Sequence, residues 1–219
     1  VVALAVFTGI SVSAASAQSK IGEIKRRMDT HNKALNTLRA KVTMVKASSQ
    51  VGTSDTTIGV AIYAKDKSGK KPLVRIDWQK PEESLAVRNG QYIMYRPKLN
   101  MAYTGSSDKA PKGGSSSLSF MSMSKAELDA NYDVVLLSEN ATLSNGVRTF
   151  HLQLTPKVPA SYKVAEIWVD VDGMPQQTKI IEKNNDSTTV LLSNLEKNIK
   201  LEPSSFTITL PKGVEIKKT

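Results

Sequence analysis

Val74-Arg75-Ile76-Asp77-Trp78-Gln79-Lys80-Pro81-Glu82-Glu83-Ser84-Leu85-Ala86-Val87-Arg88-Asn89-Gly90-Gln91-Tyr92-Ile93-Met94-Tyr95-Arg96-Pro97 decides the fold. Val74, Ile76 and Trp78 alternate with Arg75, Asp77 and Gln79, the period of two that a strand shows when one sheet face is buried. Lys80-Pro81 ends that run, because proline donates no ladder hydrogen bond and pushes its predecessor away from helical angles. Residues 84–88 then meet residues 91–96 across Asn89-Gly90, a pair suited to the two positive φ angles of a type I′ turn. Three consecutive strands joined by short turns make an antiparallel meander rather than a parallel sheet.

Downstream the same grammar repeats. Strands are expected over residues 100–104, over 132–138 meeting 147–154 across Asn145-Gly146, and over 163–171 meeting 176–183 across Asp172-Gly173, a second primed-turn pair. Another follows the Asn184-Asn185 turn over 186–192, and Phe206, Ile208 and Leu210 alternate with Thr207 and Thr209 as a closing strand. Gly105 to Ser117 is too polar to offset its ordering entropy and reads as a mobile loop. Ser124 and Glu127 form a capping box, so a helix should start at Lys125. Phe120, Met121, Met123 and Leu128 give that segment a flexible apolar face.

Upstream, residues 57–64 read as a strand and 65–72 as a charged turn. Ile21, Ile24, Met28, Leu35, Leu38 and Val42 recur at helical spacing from Ser19 onward, before residues 42–45 turn strand-like. His31 borders that stripe and has no partner at ligand spacing. Residues 1–17 carry no charge and end in Ala15-Ser16-Ala17, the apolar and cleavage parts of a secretory signal, too short to span a membrane. Cleavage after Ala17 would leave Gln18 first, and residues 18–219 form one domain. About ten antiparallel strands and two helical segments make it mainly β.

The 219 residues include 30 basic and 20 acidic ones, a formal charge of +10. The basic residues are scattered and match no nucleic-acid module, so they read as a solvated surface, with anionic lipid headgroups the other reading and nucleic acid not expected. The absence of cysteine excludes disulfides, thiolate zinc and a thiol nucleophile within these residues. Ser122-x-x-Lys125, Ser138-x-Asn140 and Lys67-Ser68-Gly69 match serine acyl-enzyme motifs in type but occur in the wrong order. Asp170-Val171-Asp172-Gly173 is too short for a calcium loop and reads as a hairpin turn. The two histidines lie far apart, His151 on the strand face opposite Phe150 and Leu152 and expected exposed, so no metal triad or general base emerges. No catalytic residue, metal site or cofactor is expected, and the sequence argues against an enzyme.

Several motifs, taken in order, resemble the LolA family of periplasmic carriers that take lipoproteins from the inner to the outer membrane. They are the Trp78-x-x-Pro81 corner, the Asn89-Gly90 turn, Tyr95-x-Pro97, Leu154-Thr155-Pro156-Lys157, the Trp168 to Gly173 hairpin, and Phe206 to Val214. The resemblance implies an incomplete antiparallel β-barrel, with an N-terminal helix and a helical lid over a hydrophobic cavity. Candidate cavity residues are Val60, Ile62, Ile76, Trp78, Leu85, Val87, Tyr92 and Met94, and candidate lid residues Phe120, Met121, Met123 and Leu128. Well-known members use an arginine on the strand entering the meander to hold the lid. Here that region offers Lys65, Lys67, Lys70 and Lys71, and lysine lacks the bidentate fork. The family implies a monomer with acylated lipoproteins or other lipid as cargo, an inner-membrane lipoprotein-releasing transporter as donor and an outer-membrane acceptor. Two other classes compete: a lipid- or lipoprotein-sensing domain of an envelope-stress regulator, which shares this fold, and a structural envelope protein with a filled barrel.

Overall fold

Asn89 and Gly90 have φ of 52° and 73°, the left-handed pair of a type I′ turn, and the turn sets Arg88 opposite Gln91 and Leu85 opposite Met94. Across the other turn, which contains a cis Lys80-Pro81 bond, Ile76 faces Leu85. The computed structural model describes residues 11–65, 72–107 and 123–219. In chain order the elements are α1 (Ser11–Ala34), β1 (Thr37–Ser48), β2 (Thr53–Ala64), β3 (Leu73–Gln79), β4 (Glu82–Arg88), β5 (Gln91–Arg96) and β6 (Met101–Ser106). They continue as α2 (Lys125–Asn131), β7 (Tyr132–Thr142), β8 (Arg148–Pro156), β9 (Tyr162–Asp170), β10 (Pro175–Glu182), β11 (Ser187–Lys197) and β12 (Glu215–Lys218).

The twelve strands form one sheet in the order β12-β6-β5-β4-β3-β2-β1-β11-β10-β9-β8-β7. Each neighbouring pair is antiparallel except β12 with β6, which run parallel. The expected mainly antiparallel architecture is present, and because β7 and β12 end the sheet unjoined, it is open. It is two meanders, β1–β6 and β7–β11, joined where β1 pairs β11. A twisted sheet this wide coils about its own inner face.

Several local expectations are corrected. α1 starts at Ser11, ahead of Ser19, and stops at Ala34. Leu38 and Val42, which fit a helical stripe, alternate with Ala40 and Met44 as buried positions of β1, because strands on both sides satisfy that backbone. At Asp172-Gly173 only Gly173 has positive φ, 91°. Asp170 Oδ1 builds this turn by accepting from the amides of Asp172 (3.0 Å) and Met174 (2.8 Å). Gly105 belongs to β6, while residues 108–117 of the expected loop lie outside the described residues.

A further correction concerns Phe206 to Leu210, which pairs with no strand among the described residues. A 3-10 turn at Pro203–Phe206 leads into an extended run. Arg75 donates to the carbonyls of Ser205 (3.2 Å) and Thr207 (2.9 Å), and Arg88 to Thr207 Oγ1 (3.3 Å). Arg75 and Arg88 point away from the face that holds Ile76 and Leu85, so this run straps the outer face of β3 and β4. Phe206, Ile208 and Ala86 are buried there. His151 also lies on the outer face, yet it is half-buried rather than exposed: its ring stacks on Trp168 with centroids 4.0 Å apart, and its Nε2 is 2.9 Å from Glu166 Oε2. Among the described residues no helix is long and apolar enough to cross a membrane.

Candidate functional site

Strand parity assigns the inner face. Ile76, Leu85, Met94 and Tyr103 form one cross-strand row. Val74, Val87 and Tyr92 form the next, opposite Gly105. Six of the expected cavity residues, Ile76, Trp78, Leu85, Val87, Tyr92 and Met94, belong to or pack against one apolar cluster on this face. Val60 and Ile62 do not. They pair with Asp77 and Arg75 and so share the outer face, where Val60 is 42% exposed. The inner residues of β2 are Gly59, Ala61 and Tyr63, paired with Trp78, Ile76 and Val74.

Gly59 is small for a reason: a Cβ there would stand 2.4 Å from the Asp77 carbonyl oxygen and 3.0 Å from the Trp78 ring. The cluster also takes in Leu38, Ala40, Val42 and Met44 of β1 and Val190 and Leu192 of β11. The signal that could have found the β1 residues is their own alternation.

The two halves of the sheet are packed differently. Over β7–β10 a second cluster joins Ile24 and Met28 of α1 and Leu128 of α2 to Leu152, Leu154, Ile167 and Val169. In the first cluster the buried residues from outside the strands are Leu35, just past α1, and Met174 of the β9–β10 turn. Among the described residues, helix therefore seals one half, while the apolar face of β1–β6 is built mainly by strands.

The expected lid divides accordingly. α2 starts at Lys125 behind the capping box: Ser124 Oγ accepts from the Glu127 amide at 3.2 Å, and Glu127 Oε2 accepts from the Ser124 amide at 2.7 Å. Leu128 is 1% exposed and Met123 packs on the second cluster, so both are core of the other half rather than a cover for β1–β6. Asp129 fixes α2 through Lys25 and Lys125, each at 2.6 Å. The Lys125 and then the Lys25 hydrogen bonds hold its carboxyl below the usual range. Phe120 and Met121 lie outside the described residues, as do Lys67, Lys70 and Lys71. Lys65 caps α1, donating to the carbonyls of Asn32 (3.1 Å) and Lys33 (3.4 Å).

Charge enters the inner face of β3–β5 at its rim. Arg96 Nε donates to Glu83 Oε2 at 2.6 Å, which raises the arginine's pKa, and the guanidinium sits 5.5 Å from the centre of the Tyr103 ring. Tyr63, half-buried on this face, has its phenol pKa pushed up by desolvation. At the sheet's edge the Tyr92 hydroxyl meets Thr219 Oγ1 at 2.6 Å, passing Gly105, where a Cβ would be 2.7 Å from that same oxygen. Among the described residues no three His, Asp or Glu side chains are placed to hold a metal ion. The arrangement can bury apolar surface.

An open antiparallel sheet coiled about an apolar inner face is the lipoprotein-binding and carrier fold of the LolA superfamily. The chain belongs to the LolA family: the sequence profile of the outer membrane lipoprotein carrier protein LolA matches residues 69–209, more than half of it. It is similar in structure to an uncharacterized conserved protein from Thermus thermophilus, at 12% identity and TM-score 0.57 over 91% of this chain and 99% of that one. MucB in the Pseudomonas aeruginosa MucA/MucB complex is similar at 12% identity and TM-score 0.52, over 85% of this chain and 61% of that one. A LolA superfamily protein from Nitrosomonas europaea aligns at 13% identity and TM-score 0.43, over 88% and 97%. Identities this low establish fold alone, and no curated protein matches the chain.

Proposed function

We propose that this protein is a periplasmic carrier that shields the acyl chains of lipoproteins against the inner face of β1–β6 and delivers them toward the outer membrane. The observation that carries this reading is the uneven packing of the sheet among the described residues: helices fill one half, and a face lined by Ile76, Trp78, Leu85, Tyr92 and Met94 is left to strands. An acyl chain gains roughly 0.8 kcal/mol per buried methylene, so one of about fifteen methylenes gains roughly 12 kcal/mol. It therefore needs such a face to cross water. In this reading residues 1–17 are a secretory signal, the working form starts at Gln18, and the carrier acts as a monomer without catalysis or cofactor. It receives cargo from an inner-membrane lipoprotein-releasing transporter and passes it to an outer-membrane acceptor.

The likeness to MucB supports a second reading, a sensing domain whose ligand controls a protein partner. Titration with a fluorescent fatty acid and with a triacylated lipopeptide tests both readings. Saturable binding of the lipopeptide, with transfer to acceptor vesicles, is the carrier result. Binding without transfer favours the sensor, and no binding of either probe overturns both.

A further inference from the structure

Two arginines of the first meander are used differently. Arg75, on the outer face, spends its whole guanidinium on the protein. Its Nε donates to Asp77 Oδ2 at 2.9 Å and its Nη2 to Asp77 Oδ1 at 3.1 Å, while Nη1 serves the Ser205 and Thr207 carbonyls at 3.2 and 2.9 Å. Arg96 donates through Nε to Glu83 Oε2 at 2.6 Å, and its two terminal nitrogens meet no carboxylate or backbone carbonyl among the described residues. A guanidinium carries five N–H donors, so four remain on a side chain that is 40% exposed. A part-exposed ion pair contributes little to stability, which leaves the arrangement with a weak structural reason.

Register places this group against the apolar face. Ser84 pairs with Tyr95, so Glu83 and Arg96 stand opposite one another one step nearer the strand ends. Trp78 pairs with Glu83, and Met101 with Arg96. Trp78, Glu83, Arg96 and Met101 therefore form the row next to Ile76, Leu85, Met94 and Tyr103. The guanidinium is folded back over that neighbouring row, 5.5 Å from the centre of the Tyr103 ring, and Tyr103 itself packs on the first cluster. The ring face and the Glu83 bond together hold the cation in place. A positive charge with unused donors thus stands at one end of the inner face.

We propose that Arg96 binds the oxyanion head of an acyl ligand, a carboxylate or a phosphate, whose chain lies on the inner face of β1–β6. The proposal rests on the acyl-binding part of the reading above and extends the cargo from lipoproteins to lipids with an anionic head. With Nε taken by Glu83, the two terminal nitrogens present the parallel donors that a carboxylate or phosphate accepts in bidentate fashion. Glu83 acts as a positioning residue, since its bond to Nε sets which edge of the guanidinium is left for a ligand. Beside that edge, Met94, Leu85 and Ile76 offer the apolar row on which the first methylenes of the chain rest. Head and chain then meet the charged and apolar parts of the face in their own order.

Full-length protein and its Arg96→Gln and Arg96→Lys variants are loaded with N-phenyl-1-naphthylamine, an uncharged apolar fluorophore. Dodecanoate, dodecyl phosphate and 1-dodecanol, which share one chain length, then displace it. Arg96→Gln should weaken at least one of the two anions by about 10-fold, the lower range for a hydrogen bond to a charged group. Dodecanol should bind as before. Arg96→Lys keeps the charge without the fork and should recover part of the loss. A loss confined to dodecanoate assigns the head to a fatty-acid carboxylate, one confined to dodecyl phosphate assigns it to a phospholipid, and a loss for both means that the site reads the oxyanion alone. An equal loss for dodecanol, or no loss for either anion, overturns the proposal and leaves Arg96 as a rim ion pair. If none of the three displaces the fluorophore from the unchanged protein, the acyl-binding reading falls first and the proposal with it.

Discussion

Gly173 is held from two directions. Its φ of 91° disfavours a side chain, and a Cβ would lie 2.3 Å from the carbonyl carbon and oxygen of Arg27 and 2.7 Å from the Met28 amide nitrogen. Strain and collision with helix backbone add, so Gly173→Ala should cost more than about 2 kcal/mol, read by urea denaturation. A cost near that of an ordinary surface change would mean α1 is not seated on the β9–β10 turn. His31 makes a pH prediction with a definite sign. Its folded pKa is depressed below 6.5, so below that pH the unfolded chain binds the proton more readily and stability falls with acidification. The melting temperature should therefore drop between about pH 6.5 and 5, and drop less in His31→Gln. At this scale the sequence is partly legible: the large apolar residues at alternate positions of the meander can be read from it, but the parity of β2 cannot, and Gly59 and Ala61 rather than Val60 and Ile62 face inward. Register decides it: Gly59 and Ala61 pair with Trp78 and Ile76 of the inner face, and a Cβ at Gly59 would meet the Asp77 carbonyl oxygen at 2.4 Å.

Among elements, α2 separates what is legible in a sequence from what is not. Its start could be read to the residue, since a capping box is a local arrangement of Ser124 and Glu127. Its role could not, because a Met-rich amphipathic segment looks alike whether it covers a cavity or completes a core. Leu128 at 1% exposure makes it core, and Leu128→Ala should cost about 2–5 kcal/mol. A lid residue would leave the unfolding midpoint nearly unchanged and alter ligand affinity instead. The strap at Phe206 and Ile208 teaches the complementary lesson. Period-two alternation reports an extended chain with one side buried, and here the buried side rests on the outer face of the sheet rather than within a ladder. Leu38 and Val42 fitted two periods at once, and only the strands on either side of β1 separated them.

For the whole molecule, each meander could be read from its turns, but the joint between them could not. Nothing local tells β1 to pair with β11, or β12 to lie parallel to β6. If the acyl ligand sits on the face of β1–β6, saturating monoacylglycerol should slow amide exchange there and leave β7–β9 little changed. At about 100 times Kd the added stability is about 2.7 kcal/mol. Uniform protection across the sheet would place the ligand elsewhere. The joint has a further, kinetic consequence. Within a meander, contacts form between near neighbours in the chain, whereas β1 and β11 bring Leu38 to Lys197, a closure of the kind that slows folding. Two quickly formed half-sheets should wait for one slow encounter. Because Val190 and Leu192 complete the apolar cluster of the first half, the inner face of β1–β6 stays unfinished until the last third of the chain has joined the sheet.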